Sequence, residues 1–307
     1  MVDHALSLLE SYQQFQENAV YLPLEWVGLL ELSGSDRLDF LQGQLSHDVK
    51  GLKEGEHLRS LMLNVKGHAL AEMEVYRHQD KLWVLIEDGA KDFVQANFLR
   101  HIIFDQVEIQ DLSETYRLFS ILGPTAEAVL LALGALPKAR QFIKQGDLIL
   151  SQSPRSALTS FDVLVKIEAA QVLENELKNQ ATQAHPDILK LARIEAMIPK
   201  TAQEGGEGIL PQEAGLDRYL SYRKGCYIGQ EIMARIEARG NLHRGLSKLQ
   251  LTNMPSEKDI YAAEGDKILG RLGTVVEHPK QGILALAILR QDAPKALRVG
   301  RTLAERL

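Results

Sequence analysis

An α+β fold closed by a small β-barrel is what three features of this 307-residue sequence predict. Apolar runs with a period of two come in hairpin-like series, as in antiparallel sheets. Helical-period segments interrupt those series irregularly instead of alternating strictly with strands, which disfavours a parallel doubly wound sheet. After Gly240 the chain turns to short apolar runs broken by Gly265, Gly270, Gly273 and Gly282, the pattern of a small barrel or sandwich. The length suits two or three folded units, with a boundary near residues 240 to 246.

Leu8, Leu9, Tyr12 and Phe15 lie at helical spacing, so the stretch Ala5 to Phe15 is expected to form an amphipathic helix. Trp26 to Leu32 reads as a strand ended by Gly34. Ser35 or Asp36 then caps a short helix reaching about Gln44. Leu58 to Leu63, His68 to Tyr76 and Leu82 to Glu87 read as an antiparallel meander, with turns at Asn64–Gly67 and His78–Asp80. A helix follows over Gly89 to Ile103, with Phe93, Val94, Phe98 and Ile102 near one face. Tyr116 to Leu122 is a strand, and Gly123-Pro124 leads into a helix over Thr125 to Leu133, where proline costs no hydrogen bond. Strands are expected at Leu148 to Ser151 and Phe161 to Ile167, and helices at Ala169 to Lys178 and Asp187 to Met197. Glu204-Gly205-Gly206-Glu207-Gly208 reads as a flexible surface loop. In the last segment, Ser247 to Leu251, Thr274 to Glu277 and Ile283 to Leu289 are strands.

Composition narrows the class. With 45% hydrophobic and 25% charged residues the chain is ordinary for a globular protein. No apolar run approaches the ~20 residues that span a bilayer. Residues 1 to 10 carry Asp3 and Glu10 and lack a basic start, so a soluble, cytoplasmic protein without a membrane partner is expected. One cysteine excludes an internal disulfide and a multi-cysteine metal site, and no metal is expected. The net charge of −6 gives no global case for nucleic acid. The charge is uneven, however. Arg271 to Leu307 holds seven Lys/Arg against three Asp/Glu, and Ser221 to Gly245 five against two. Such basic stretches suit an anionic ligand, a polyglutamate tail or RNA, and equally a solvated surface.

The most informative segment is Lys224-Gly225-Cys226-Tyr227-Ile228-Gly229-Gln230-Glu231, followed by Arg235 and Arg239-Gly240. Two glycines permit a tight path, and the residues after Gly229 favour helix. Cys226 would precede a helix N-terminus beside Lys224, both of which favour a thiolate. The alternative is a small buried hydrophobe in a turn. Local physics leaves the two even.

This segment resembles the signature loop of the YgfZ/glycine-cleavage T-protein family. Phe40 to Val49, with its glutamines and Asp48-Val49, is similar to that family's first signature. Arg193-Ile194-Glu195-Ala196 resembles its shared helix, and Pro211 to Ala214 the segment ahead of the loop. The resemblance runs from about Trp26 into the barrel. It implies ferredoxin-like subdomains in a ring around a folate pocket. Residues 1–50 with 115–240 would form one unit, 51–114 a second, and 241–307 the barrel. It further implies tetrahydrofolate or a related reduced folate as cofactor and a monomeric chain. Asp48 and Cys226 are the implied chemical residues, and Asp48, Trp26, Leu189, Arg193 and Glu195 the implied folate contacts. Arg193 and Glu195, two apart on a helix, cannot share a face, and Glu195 is the better pocket candidate.

The sequence departs from the aminomethyltransferases at two places. Leu158 to Asp162 lacks the glutamate that contacts folate there, and Leu189 stands near the folate-region arginine. Both count against glycine-cleavage chemistry. The role the resemblance implies is a folate-binding accessory protein that supports assembly or repair of iron–sulfur enzymes, including one that thiolates tRNA. The alternatives are a tetrahydrofolate-dependent aminomethyl or one-carbon transferase, and an RNA- or partner-binding module. Arg271 to Leu307 has no aromatic residue for stacking on single-stranded RNA.

Overall fold

In the computed structural model, which describes residues 6–25, 27–240 and 242–307, two sheets face each other and a barrel docks beside them. The first sheet runs in the order Thr182–Gln183, Val20–Leu24, Tyr116–Leu122, Ser160–Lys166, Leu148–Gln152, Phe142–Gln145. The second runs His57–Leu63, Ala69–His78, Lys81–Ile86, Gly28–Ser33, Glu108–Asp111. Apart from the short parallel pairing of Val20 with Thr182, both are antiparallel. Alternation along each strand gives each sheet two faces. On the second sheet Leu30, Leu32, Met73, Val75, Val84 and Ile86 pack under the helices Arg37–Gln44 and Lys91–His101. On the first, Tyr21, Phe119, Ile121, Val163 and Val165 pack under Ala126–Ala132 and Ile167–Lys178. The inner faces meet through Leu22, Leu24, Leu29, Tyr76, Trp83 and Leu164, joined by the helix Asp187–Glu195.

The barrel closes in the order Arg244–Leu251, Gly282–Arg290, Ile268–His278, Asp259–Ala262, Ala296–Val299, Thr302–Arg306. Closure leaves no exposed strand edge. Among the described residues no helix is long and apolar enough to cross a membrane.

The expected meander, the helices expected over residues 89–103 and 125–133, and the barrel are present. Three points differ. Val20–Leu24 is a strand that the sequence hid behind Pro23. Among the described residues it has, beyond Tyr21, a partner on one side only, with Pro23 opposite Phe119, and a free edge tolerates proline. The strand Gly28–Ser33 and helix Arg37–Gln44, expected with the unit of residues 1–50 and 115–240, pack instead with the meander, because Leu30 and Leu32 complete its apolar face. Glu204, expected in a flexible loop, is buried at the end of the helix Thr201–Glu204. Its carboxylate accepts from the Thr274 backbone N–H (2.7 Å) and hydroxyl (2.6 Å).

Candidate functional site

Three segments far apart in sequence converge at the cysteine loop: the helix end 42–48, the turn 64–67 and the stretch 224–230. Lys224 is buried. Its Nζ donates to the carbonyl oxygens of Gln42 (2.6 Å), Leu45 and His47 (2.9 Å). The last carbonyls of a helix lack intrahelical donors, so this ammonium finishes the helix Arg37–Gln44 and ties the loop to it. Burial pushes the Lys224 ammonium down to about 8, against the opposing attraction of Asp48. It lies 4.7 Å from the Tyr227 ring centre, a cation–π approach. Ile228 N–H donates to the Gly43 carbonyl at 3.3 Å, and the helix Gln230–Arg239 starts directly after Gly229. Cys226 is exposed, so it is not a buried packing residue.

The inner faces of the two sheets also hold a layer of charge. Arg155 donates to Asp162 from Nε and Nη2 (both shortest at 2.7 Å) and to Glu87 from Nη1 and Nη2 (3.1 and 2.6 Å). Lys200 adds bonds to Glu87 (3.1 Å) and Asp88 (2.7 Å). Arg59 reaches Glu72 (3.1 Å) and Ser153 (2.9 Å), and its Nε lies 3.4 Å from Glu74. Glu74 also hydrogen-bonds His57 Nδ1. Glu72 and Glu74 point the same way from one strand, yet their protonation is driven apart. Burial raises the Glu72 carboxyl in spite of Arg59. At Glu74 burial acts upward too, but Arg59 and His57 outweigh it and the net shift is down. Two carboxylates of one residue type are thus given opposite shifts by their different partners.

Two neighbouring spaces, which share lining residues, border this layer. A chamber of about 60 Å³ is lined by Glu72, Glu87, Arg155, Arg193 and Lys200 among others. A cleft of about 690 Å³ is lined by His47, His57, Arg140, Tyr219 and Arg218. Arg59, Glu74 and Pro154 line both. The cleft carries three arginines against one glutamate on an acidic chain, so its field favours an anion. Arg140 holds a left-handed backbone (φ 63°) while its carbonyl accepts from the His57 N–H at 2.9 Å. A strained loop braced in this way is a common feature of ligand clamps.

The residues expected from sequence fall in different places. Asp48 is half-buried beside the cleft wall at His47. It accepts from Gln42 Nε2 (2.9 Å) and the Gly51 N–H three residues on (3.3 Å), so its carboxylate braces the local turn. Arg193 lines the chamber and donates to Ile198 O (2.9 Å) and Thr274 Oγ1 (2.7 Å). Glu195, expected to face the pocket, points the other way and accepts from Tyr12 (2.6 Å) while meeting His278 Nε2 at 3.0 Å. The two-residue spacing indeed sends the pair to opposite sides, Arg193 to the chamber and Glu195 to Tyr12 and His278. Leu189 is core, packed between the sheets. Gly225 is exposed, Gln230 Nε2 donates to Lys224 O (3.4 Å), and Glu231 pairs with Arg235 on the helix surface. Trp26 and the Arg239 side chain lie outside the described residues.

Residues 7–148 match the family described as the GCVT N-terminal domain. A tRNA-modifying protein YgfZ of Hamiltonella defensa subsp. Acyrthosiphon pisum (strain 5AT) is 29% identical over 227 residues, covering 72% of this chain and 66% of that one. The same-named protein of Klebsiella pneumoniae (strain 342) is 27% identical over 261 residues, covering 82% and 78%. The chain is thus similar to the GCVT N-terminal domain over residues 7–148 and to YgfZ proteins over most of its length. The crystal structure of glycine cleavage system aminomethyltransferase T from Bartonella henselae superposes with a TM-score of 0.85 over 98% of this chain and 88% of that one, at 18% identity. That likeness concerns the fold. It spans both sheets and the barrel.

The sequence reading missed His57, Arg59, Glu72 and Glu74. A signal for them existed: charged residues two apart inside otherwise apolar strands mark a polar stripe on one face.

Proposed function

We propose that this chain is a reduced-folate-binding accessory protein that supports iron–sulfur enzymes, among them one that thiolates tRNA. The observation that carries the folate part is the basic cleft of about 690 Å³ leading to a layer of buried carboxylates. Its size falls in the range of small-molecule sites. A reduced pterin offers a row of N–H donors, which suits Glu72 and Glu74. The glutamate tail offers carboxylates, which suit the exposed Arg140 and Arg218 at the cleft. The curated relatives named tRNA-modifying protein YgfZ support the link to tRNA modification.

Aminomethyl transfer is the less favoured reading. Asp162 is the one carboxylate in the stretch where an aminomethyltransferase would offer a folate-binding glutamate. Here it is buried and consumed by Arg155.

The test is thermal unfolding with and without tetrahydrofolate. At about 100 times the dissociation constant, a ligand specific for the native state adds about 2.7 kcal/mol, a shift of several degrees. No shift at saturating reduced folate would remove this reading.

A further inference from the structure

His57 is almost wholly buried, and its two ring nitrogens have different surroundings. Nδ1 is held by Glu74, while Nε2 has no hydrogen-bond partner although His57 lines the cleft. A buried polar atom without a partner costs about 1–3 kcal/mol, so a ligand that bonds to it regains that energy. The ring cannot turn away: it stacks on Tyr76 at 5.2 Å with 12° between planes, and its own backbone N–H is bonded to Arg140. Glu74 is an acceptor when ionised, and its carboxyl is shifted down from the ordinary range, with burial opposed by Arg59 and His57. The shared proton therefore rests on Nδ1, and Nε2 presents a lone pair.

We propose that His57 and Glu74 form a proton-exchange dyad serving the cleft, with His57 Nε2 as the atom that takes up a proton from solvent as a ligand with an acceptor atom binds, donates it in a hydrogen bond to that acceptor, and gives it back when the ligand leaves. The inference rests on the reading of the cleft as a reduced-folate site. In the exchange, the bond between the buffer acid or hydronium heteroatom and its hydrogen breaks, and the electron pair stays on that heteroatom. The proton bonds to Nε2, and the imidazolium formed is neutralised by the Glu74 carboxylate. Return of the proton restores both partners, with no oxidant or further reactant. The charged and titratable groups around the ring are Glu74, Arg59, Tyr76, Arg140, and, across the cleft, His47, Arg218 and Tyr219. The arginines oppose the imidazolium. Glu74, hydrogen-bonded to the ring, favours it.

Isothermal titration of the intact protein with tetrahydrofolate, in buffers of different ionisation enthalpy, counts the protons exchanged on binding. The range to cover is roughly pH 5 to 8, where imidazole titrates. The wild type is expected to give an observed enthalpy that depends on the buffer. His57→Gln, which keeps a hydrogen-bonding end but cannot titrate there, is expected to bind with that dependence lost. Binding without buffer dependence in the wild type, or equal dependence in His57→Gln, overturns the dyad and leaves the folate reading standing. Absence of binding overturns both. Glu74→Gln keeps a hydrogen bond to the ring and removes the charge, so the pH of half-maximal exchange should fall. An unmoved midpoint overturns the dyad even if His57→Gln does not fold.

Discussion

Gly229 stands directly against Asn64: with φ at 85°, a Cβ at this position would lie 2.7 Å from the Asn64 carbonyl oxygen. The same turn packs Gly67 against Ile232 and Met233, so the signature loop and the first hairpin of the meander are fitted to each other through backbone. Gly229→Ala is therefore expected to destabilise the protein. The left-handed backbone alone costs about 1–2 kcal/mol for a residue with a Cβ, and the contact with Asn64 adds to it. A denaturant midpoint equal to wild type would show that the loop can move off the hairpin at no cost.

Arg155 is the hinge of the charge layer, since it serves Asp162 from the first sheet and Glu87 from the second. Arg155→Met leaves Asp162 buried without its partner, and breaking a buried pair costs about 3–5 kcal/mol. Adding Asp162→Leu removes the stranded charge, and Glu87 keeps Lys200, so the double variant should recover much of the loss. A double variant less stable than Arg155→Met would contradict this account.

Lys224 makes stability depend on pH in a defined window. Its ammonium titrates near 10.5 when unfolded and at about 8 when folded. Between these values the unfolded chain binds more protons than the native one, so stability rises with pH. The destabilising contribution is fully present below about 8 and is relieved as pH rises toward 10.5. Compared with Lys224→Met, the wild type should gain stability across that interval. Equal slopes for the two proteins would mean that the buried ammonium carries no desolvation penalty.

How far this was legible in the sequence depended on whether a signal was local. Ser7 and Glu10, three apart, form a capping box, and the first helix was readable. The meander and barrel followed from alternation and glycine punctuation. The cysteine loop was found as a string, but its anchoring was not. The three carbonyls that hold Lys224 lie about 180 residues away, and no local pattern reports them. The cleft was missed for a related reason. Its walls come from both sheets and from loops at Arg140, Pro154 and Arg218, segments that meet only once the sheets pack. For Arg193 and Glu195, a two-residue spacing separates two faces without saying which one lines the chamber.

Cys226 is exposed while the lysine two residues before it is buried and directed at carbonyl oxygens. The ammonium at Lys224 is thus spent on the backbone, and the thiol is left to solvent. Exposure removes packing as the reason for a cysteine, so Cys226→Ser should leave stability within about 0.5 kcal/mol of wild type, as for surface substitutions in general. If the sulfur carries the accessory role, the same variant should fold, bind tetrahydrofolate and still fail to restore iron–sulfur enzyme activity in cells lacking the protein. The decisive pair of measurements is the denaturation midpoint and that activity, read on one variant. A stable, folate-binding serine variant that restores full activity would take sulfur chemistry out of the function. The loop would then serve through its shape, with Lys224 and Gly229 as the residues that set it.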